Sequence, residues 1–517
     1  MKKLTLLLFL IVLYGCSTNI NKFFDQNKYV NNYTIHIIND SLQLYFKTPS
    51  DITYVTNKKE LQKIIKNNTF KLKGDVLIYG KTDDPPYEYF VILPKNRKQK
   101  YPNNLVVFDT LINNQIIQFV GNSLSNNSQK SLEIDLKKIF ESLEVGTNYR
   151  KEIITVMDVV NNSQESNTFL ETLHNINQIP TYDKAEEWMK LQMQLTYSSF
   201  LGNNTLYNNY LSQLESRFKP NDTITTIIKN NLITDTKAID TIIKQAAKHK
   251  IVMINENHYY PNHRLLVLDL LEDLQKIGYT HLALEALAIE QDSLLNIENA
   301  YPTLKTGFYT SEQNYSNLIR KAKELGYKFV AYESTNQTKD REINQAENLY
   351  NKTFKIEPNS KVLVLAGIDH ILEKPTNSGK KWMATVFKEN YNIDPLTISQ
   401  THLNLYRKEI NNTIGILNSN TFNNNTLNSV DYLIINNQQI ETTNNTFTYK
   451  NKLDDDIQIA LFYTNEITST NDFYKKIPYF TTIINGNETY NLPIKKDQKV
   501  ILYAIDKYGK LIDKIIY

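Results

Sequence analysis

The chain has 517 residues, of which 58 are Lys or Arg and 55 are Asp or Glu; the net charge of +3 falls to +1 once Lys2 and Lys3 are set aside. That balance excludes the basic face of a nucleic-acid binder, and 41% hydrophobic residues excludes a disordered chain. Cys16 is the single cysteine, so no intramolecular disulfide can form, and the length predicts about two to four domains.

The chain opens Met1-Lys2-Lys3, runs apolar from Leu4 to Tyr14, and then reads Gly15-Cys16. Lysines ahead of a short apolar run describe a secretory signal peptide; a membrane-spanning helix needs about 20 residues. Leu13, Gly15 and Cys16 stand as in a bacterial lipoprotein processing site, which this segment resembles, with Tyr14 bulkier than usual. The resemblance implies a leader over 1–16, lipid on Cys16, and a partner in the membrane of the bacterial cell envelope, at the outer membrane or cell surface. Several acyl chains make such an anchor stable where one is marginal. Ser17–Asn21 then serves as a polar tether.

Residues 22–148 read as a small α/β sandwich domain, α+β in class. Short apolar segments recur at Tyr33–Ile38, Leu42–Phe46, Val76–Tyr79, Tyr87–Leu93, Leu105–Phe108 and Ile116–Val120, separated by turn formers such as Asp83-Asp84-Pro85-Pro86. Leu132, Leu136, Ile139, Phe140 and Leu143 fall on one face of a helix over Lys130–Leu143. This order resembles the PsbP/Mog1-like sandwich in pattern. Residues 150–235 read as a helical linker, with Asp183 as N-cap of a helix over Lys184–Tyr197 and Trp188, Leu191, Met193 and Leu195 as core.

Residues 236–410 alternate helix and strand. Helices are expected at Ala238–Ala247, Arg264–Ile277, Tyr315–Leu325 and Arg341–Tyr350, and strands at Lys250–Ile254, His281–Leu284, Lys328–Tyr332 and Val362–Leu365. Helices between short apolar strands imply a mostly parallel sheet. Asn411–Asn428, dense in Asn and Thr, reads as a linker or long loop. Residues 425–517 then read as a small all-β, sandwich-like domain, with strands at Tyr432–Ile435, Ile457–Tyr463, Tyr479–Ile484 and Val500–Ile505; its first strands could instead join the α/β domain. Asp506–Lys510 makes a hairpin turn into Leu511–Tyr517.

Six of the eight histidines lie between His249 and His402, which singles out the α/β domain. Sites in parallel sheets form beyond the carboxyl ends of the strands. Here those ends carry Glu256 and His258, then Glu285, then Glu333, then Gly367-Ile368-Asp369-His370. Packed carboxylates raise one another's pKa, and imidazoles or a cation offset that, giving a general acid/base pair or a metal site. Two residues apart on an extended stretch, Glu256 and His258 can face one way. Gly367 would let the backbone turn tightly. His281 starts a strand at the opposite edge and reads as structural; His402 lies near a possible last strand.

These residues also carry a resemblance. Residues 236–405 resemble the superfamily of erythromycin esterases, ChaN-type haem-binding lipoproteins, and the TraB and TIKI proteins. Its first motif, often Gly-Glu-x-His, is here Asn255-Glu256-Asn257-His258, and its second is intact as Gly367-Ile368-Asp369-His370 after Val362–Ala366. Leu282-Ala283-Leu284-Glu285 matches the strand ending in a family glutamate, and Arg341-Glu342-Ile343-Asn344-Gln345-Ala346 matches its basic helix start. Asn255 replaces the first Gly, a residue type that tolerates unusual backbone angles. The resemblance implies Glu256, His258, Glu285, His370 and Arg341 as catalytic groups. It places His263 and Arg264, with Glu333, as contacts to a small-molecule or peptide substrate.

Three functions fit. One is a hydrolase of ester or peptide bonds, in which Glu256 or His258 activates water and Arg341 or an imidazole supports the oxyanion. The chain has no Gly-x-Ser-x-Gly elbow near these residues, so a serine nucleophile is not indicated. A second is metal-dependent hydrolysis, with zinc or manganese on His258, His370, Glu256 and Glu285, although no His-Glu-x-x-His helix occurs. A third is binding without catalysis, in which the cleft holds a metal or haem; with no Cys-x-x-Cys-His, haem would be non-covalent. An inactive scaffold is the remaining reading.

Overall fold

The computed structural model describes residues 25–27, 34–39, 44–49 and most of 52–145 and 155–517. Cys16 with its leader, and Asp183, lie outside the described residues. The described chain forms two units, one of residues up to 155 with 179–188, the other of 156–178 with 189–517.

In the first unit, period-two alternation builds an antiparallel sheet in the order Thr53–Val55, Gly74–Asp83, Pro86–Pro94, Gln115–Ser123, Leu105–Ile112. The expected helix spans Gln129–Glu141 and buries Leu132, Leu136 and Ile139. It lies so close to the sheet that a Cβ at Gly121 would stand 2.6 Å from Leu132 Cδ1, so any larger residue there would have to displace the Leu132 and Leu136 side chains. A second antiparallel sheet joins Asp25–Asn27, Thr34–Asn39, Leu44–Pro49 and Glu144–Val145. The helix Lys58–Asn67 was not anticipated; its stripe of Leu61, Ile64 and Ile65 is interrupted by lysines and is too short to stand out.

The second unit begins with the helices Val156–Ser163 and Phe169–Gln178, takes in the helix Lys184–Phe200 from Met189 onward, and continues with Thr205–Glu215 and Asp222–Asn231. Leu191, Met193 and Leu195 are buried in the helix Lys184–Phe200, and Trp188 is half-buried. An eight-stranded sheet follows in the order Ile233–Thr234, Ile414–Asn418, Tyr432–Asn436, Leu396–Ser399, Ile251–Asn255, Val362–Ala366, His281–Leu284, Lys328–Ala331. The six strands from Tyr432–Asn436 onward run parallel. Their near-continuous Val, Ile and Leu runs are buried on both faces, as a covered parallel sheet demands. The helices Thr236–Ala246, Asn262–Lys276 and Gln313–Glu324 pack on one face, and Asp222–Asn231, Arg341–Lys352 and Met383–Tyr391 on the other.

Two expectations need correction. The Asn-rich stretch 411–428 is not all loop: Ile414-Gly415-Ile416-Leu417 is apolar enough to form a buried strand. That strand pairs antiparallel with Tyr432–Asn436, which therefore belongs to the α/β sheet. The C-terminal all-β region is a four-stranded antiparallel sheet, Phe480–Ile484, Ile457–Tyr463, Val500–Asp506, Leu511–Ile516, with a separate pair Thr448–Lys450 and Thr489–Asn491. It is bolted to the helix Gln313–Glu324: Arg320 donates to both oxygens of Glu466 at 2.8 and 2.7 Å, and Gln313 exchanges two bonds with the backbone of Thr481.

Candidate active site

Four of the parallel strands end within one continuous edge, and their backbones are stitched together there. Glu256 N–H donates to Ala366 O at 2.8 Å, and Glu285 N–H to Leu365 O at 3.1 Å. Asn255, fully buried, donates from Nδ2 to Ile368 O, Ser399 Oγ and Thr401 Oγ1, and accepts from Gln400 N–H. The tolerance of Asn for unusual backbone angles is not used here, since Asn255 is the last residue of a strand and has no positive φ. Its amide instead ties three strand ends together.

The first cluster centres on His258. Its Nδ1 lies 2.9 Å from Glu256 Oε1, and its ring stacks on Tyr309 at 4.0 Å between centroids. Glu256 Oε2 accepts from Arg264 Nε at 2.8 Å. Arg264 also donates to Glu312 Oε2 at 3.1 Å and to the His258 carbonyl at 2.7 Å. Burial is the largest influence on Glu256 and opposes its ionisation, but Arg264 and His258 together outweigh it and hold the carboxyl at about 2. Burial keeps Glu312 above its usual range despite Arg264. The side chain of His258 is 26% exposed while that of Glu256 is 2%, so the imidazole is the face this cluster shows to solvent.

His263 and Arg264, expected as substrate contacts, sit behind that face. Both are fully buried. His263 Nδ1 accepts from the Asn257 N–H at 3.0 Å and its Nε2 lies 3.2 Å from Asn404 Oδ1, which fixes the tautomer. Burial pushes this imidazole down to about 3. Neutral and with both nitrogens used, it shapes the loop after the first strand.

The second cluster centres on Arg341, the first residue of its helix. Arg341 donates to Glu285 Oε1 at 2.7 Å and to Glu333 Oε1 at 3.0 Å, and its Nη2 also meets Glu333 Oε2. Gln345 donates to both Glu333 oxygens at 3.1 Å. His370 Nδ1 faces Glu342 Oε2 at 2.7 Å, and its Nε2 faces Glu285 Oε1 at 3.3 Å and Arg341 Nη1 at 3.0 Å. In a neutral ring Nε2 would accept from Arg341; in the charged ring it donates to Glu285. Burial, the largest influence, favours the neutral ring, but Glu285 and Glu342 outweigh it and push His370 up to about 10. Glu285 is held well below the carboxylate range by His370 and Arg341 against its own burial.

Gly367 acts through close approach. Its N–H donates to Glu285 Oε2, and a Cβ there would stand 3.0 Å from that oxygen. Two residues escaped sequence reasoning. Glu342 accepts from His370 Nδ1 and from the Met383 N–H; its place in the Arg-Glu helix start was the available signal. Tyr309 comes from the segment after the second strand and carries no motif. Burial drives its hydroxyl far above its ordinary value, so it remains a neutral phenol.

The two shifts predict a stability profile. Glu256, depressed from 4.5 to about 2, contributes stability present above 4.5 and lost as pH falls toward 2. His370, raised from 6.5 to about 10, contributes stability present below 6.5 and lost as pH rises to 10. Thermal melts of the wild type should therefore fall on both sides, and His370→Asn should flatten the alkaline limb alone. An unchanged alkaline limb would mean that His370 is neutral in the folded chain.

The expected metal ligands do not converge: among the described residues no three His, Cys, Asp or Glu side chains form a metal-binding group. Glu285 is bonded to Arg341 and faces charged His370, and these two cations supply the positive charge a metal would bring. The residues present do not fit a divalent ion. Among the described residues no helix is long and apolar enough to cross a membrane.

No protein-family model matches the chain, and no curated protein sequence matches it. Among solved structures, the type III effector HopBA1 aligns over 40% of this chain and 97% of its own at 15% identity and a TM-score of 0.28. ChaN of Campylobacter jejuni, described as binding haem cofacially, aligns over 38% of this chain and 91% of its own at 13% identity and a TM-score of 0.24. The Pasteurella multocida toxin structure, described for a thiol-protease-like triad in its C-terminal region, aligns over 57% of this chain and 39% of its own at 12% identity and a TM-score of 0.23. These are distant neighbours, and scores this low carry no function across.

Proposed function

We propose that the chain is a lipid-anchored hydrolase of the bacterial envelope that activates water at His258 to cleave an ester or peptide bond. The observation that carries this reading is the bond from His258 Nδ1 to buried Glu256. It sets the tautomer and leaves Nε2 without a partner among the described residues, on the one imidazole of the two clusters that is open to solvent. A histidine oriented by a buried carboxylate is the arrangement of a general base. In this reading Nε2 takes a proton from water as the oxygen attacks the carbonyl carbon. The carbonyl becomes an oxyanion, the imidazolium is balanced by Glu256, and collapse of the oxyanion then breaks the ester C–O or peptide C–N bond as the proton passes to the leaving oxygen or nitrogen. Arg341 and charged His370 supply positive charge for the oxyanion. His370 with carboxylates on both nitrogens is a poor base, so the two histidines divide the work.

The anchor rests on Lys2, Lys3, the apolar run to Tyr14 and Cys16. Full-length chain should sediment with membranes, and Cys16→Ser should release it or stall its processing. For the chemistry, a form beginning at Ser17 should turn over chromogenic esters or short peptides with and without a chelator; no turnover across both panels would sink the hydrolase. On a second reading the same Nε2 of His258 would ligate haem iron, since a carboxylate behind the imidazole also suits a metal ligand. Haem titration of wild type and His258→Ala decides it: a Soret band that depends on His258 favours binding over catalysis.

A further inference from the structure

The bond from His258 Nδ1 to Glu256 fixes one end of the imidazole but not its plane, because a ring held at a single nitrogen can still swing about that bond. His258 lies on a turn, outside any helix or strand. A second contact closes the gap. The buried ring of Tyr309 lies 4.0 Å from the imidazole between centroids and 15° from parallel. Stacking fixes the plane that the hydrogen bond leaves open and covers one face of the imidazole against solvent.

The segment that carries Tyr309 is itself firmly held. Gly307 approaches the end of the second parallel strand so closely that a Cβ would stand 1.9 Å from the Ala286 carbonyl oxygen, so a larger residue would have to push backbone aside. Thr310 Oγ1 donates to the Gly307 carbonyl at 2.8 Å, and the Glu312 N–H to the Tyr309 carbonyl at 3.2 Å. Phe308 packs edge-on against Tyr197 and Phe200, and Gln313 is tied to the backbone of Thr481. Three residues beyond Tyr309, Glu312 bonds Arg264, which bonds Glu256. One short turn therefore reaches His258 twice, through the face of its ring and through the carboxylate at its edge.

The structure assigns Tyr309 as the positioning residue of this site: its ring holds the His258 imidazole in the plane from which Nε2 reaches water. This role rests on His258 being the base of the hydrolase, and it belongs to the flat ring rather than to the phenol hydroxyl. Phenylalanine keeps the ring, whereas leucine and methionine fill space without a flat face.

The test uses the full chain in detergent, with histidine carrying 13C at Cε1. It compares the wild type with Tyr309→Phe, Tyr309→Leu and Tyr309→Met, and His258→Ala identifies the His258 signal. Melting temperatures establish that each variant is folded, and either aliphatic variant alone suffices. In the wild type and Tyr309→Phe, spin relaxation should show a His258 Cε1–H bond as rigid as the backbone, with its proton displaced by the ring current of the stack. In the aliphatic variants that displacement should vanish and the bond become mobile on the ps–ns timescale. Their kcat on the ester or peptide that the wild type cleaves should fall by about 10–100-fold, the cost of a misplaced catalytic group, with KM held; Tyr309→Phe should stay close to the wild type. A mobile ring in the wild type overturns the proposal without any variant. So does a rigid ring or an unchanged kcat in a folded aliphatic variant, or a Tyr309→Phe as slow as the aliphatic variants. These outcomes leave the hydrolase standing; a wild type that cleaves nothing removes the hydrolase and this role with it.

Discussion

Arg264→Met is expected to lower the free energy of unfolding by about 3–5 kcal/mol, the usual cost of breaking a buried ion pair from one side. Arg264 is the largest fully buried side chain among the described residues. Its three nitrogens are spent on Glu256, Glu312 and the His258 carbonyl, and its guanidinium lies 4.8 Å from the centre of the Tyr315 ring. Methionine fills much of the same volume but leaves Glu256, held at about 2 by that neighbour, as a buried anion with only His258 beside it. A domain's whole margin is about 5–15 kcal/mol, so the loss is a large share of it, and urea midpoints at low temperature provide the measure. The decisive comparison is Arg264→Met combined with Glu256→Gln and Glu312→Gln. Glu312 also caps the helix Gln313–Glu324, Oε1 accepting from Asn314 N–H and Oε2 from Tyr315 N–H; a glutamine oxygen keeps one of these bonds, so a part of the loss stays in the triple variant as a lost cap. If the penalty is uncompensated charge, the triple variant recovers most of the loss. If it recovers nothing, the loss comes from packing around Tyr315, and the electrostatic account of this cluster fails.

Most of the parallel strands and of the helices between them were legible because their signals are local; the helix Met383–Tyr391 and the four-residue strand Leu396–Ser399 were not anticipated. Val362–Ala366 is an unbroken apolar run, and Arg341–Lys352 begins at a basic start after the N-cap Asp340. The strand ends brought Glu256, His258, Glu285, Glu333, Arg341 and His370 to one edge for the same reason: position along a parallel strand fixes the edge on which a residue emerges. What stayed hidden depends on burial and on distant partners. Nothing in Asn262-His263-Arg264 announces that its cation is covered by a glutamate 48 residues later. Tyr309 is one of 34 tyrosines, and only the folded segment after the second strand lays it on His258. The strand Ile414–Asn418 was obscured by the asparagines around it, since composition over a window masks a four-residue apolar core.

His258→Ala should reduce kcat by about 10²–10⁴-fold, the usual contribution of a positioned general base, with little change in stability. The small structural cost follows from exposure: the side chain is 26% open to solvent and its one hydrogen bond goes to Glu256, which keeps Arg264 as partner. Glu256→Gln separates orientation from proton transfer. The substituted amide can still accept from His258 through its oxygen, but its NH2 then faces Arg264 Nε–H and it brings no charge to balance an imidazolium, so the melting temperature falls and kcat falls while KM holds. A merely structural glutamate would lower the melting temperature without that split. His370→Asn offers the contrast, because a charged imidazole between Glu285 and Glu342 acts on the oxyanion rather than on water. Solvent deuterium should slow the wild type and His370→Asn alike if His258 moves the proton in the limiting step. If His258→Ala retains wild-type kcat while His370→Asn abolishes it, the base belongs to the second cluster and the division of labour between the two histidines is reversed.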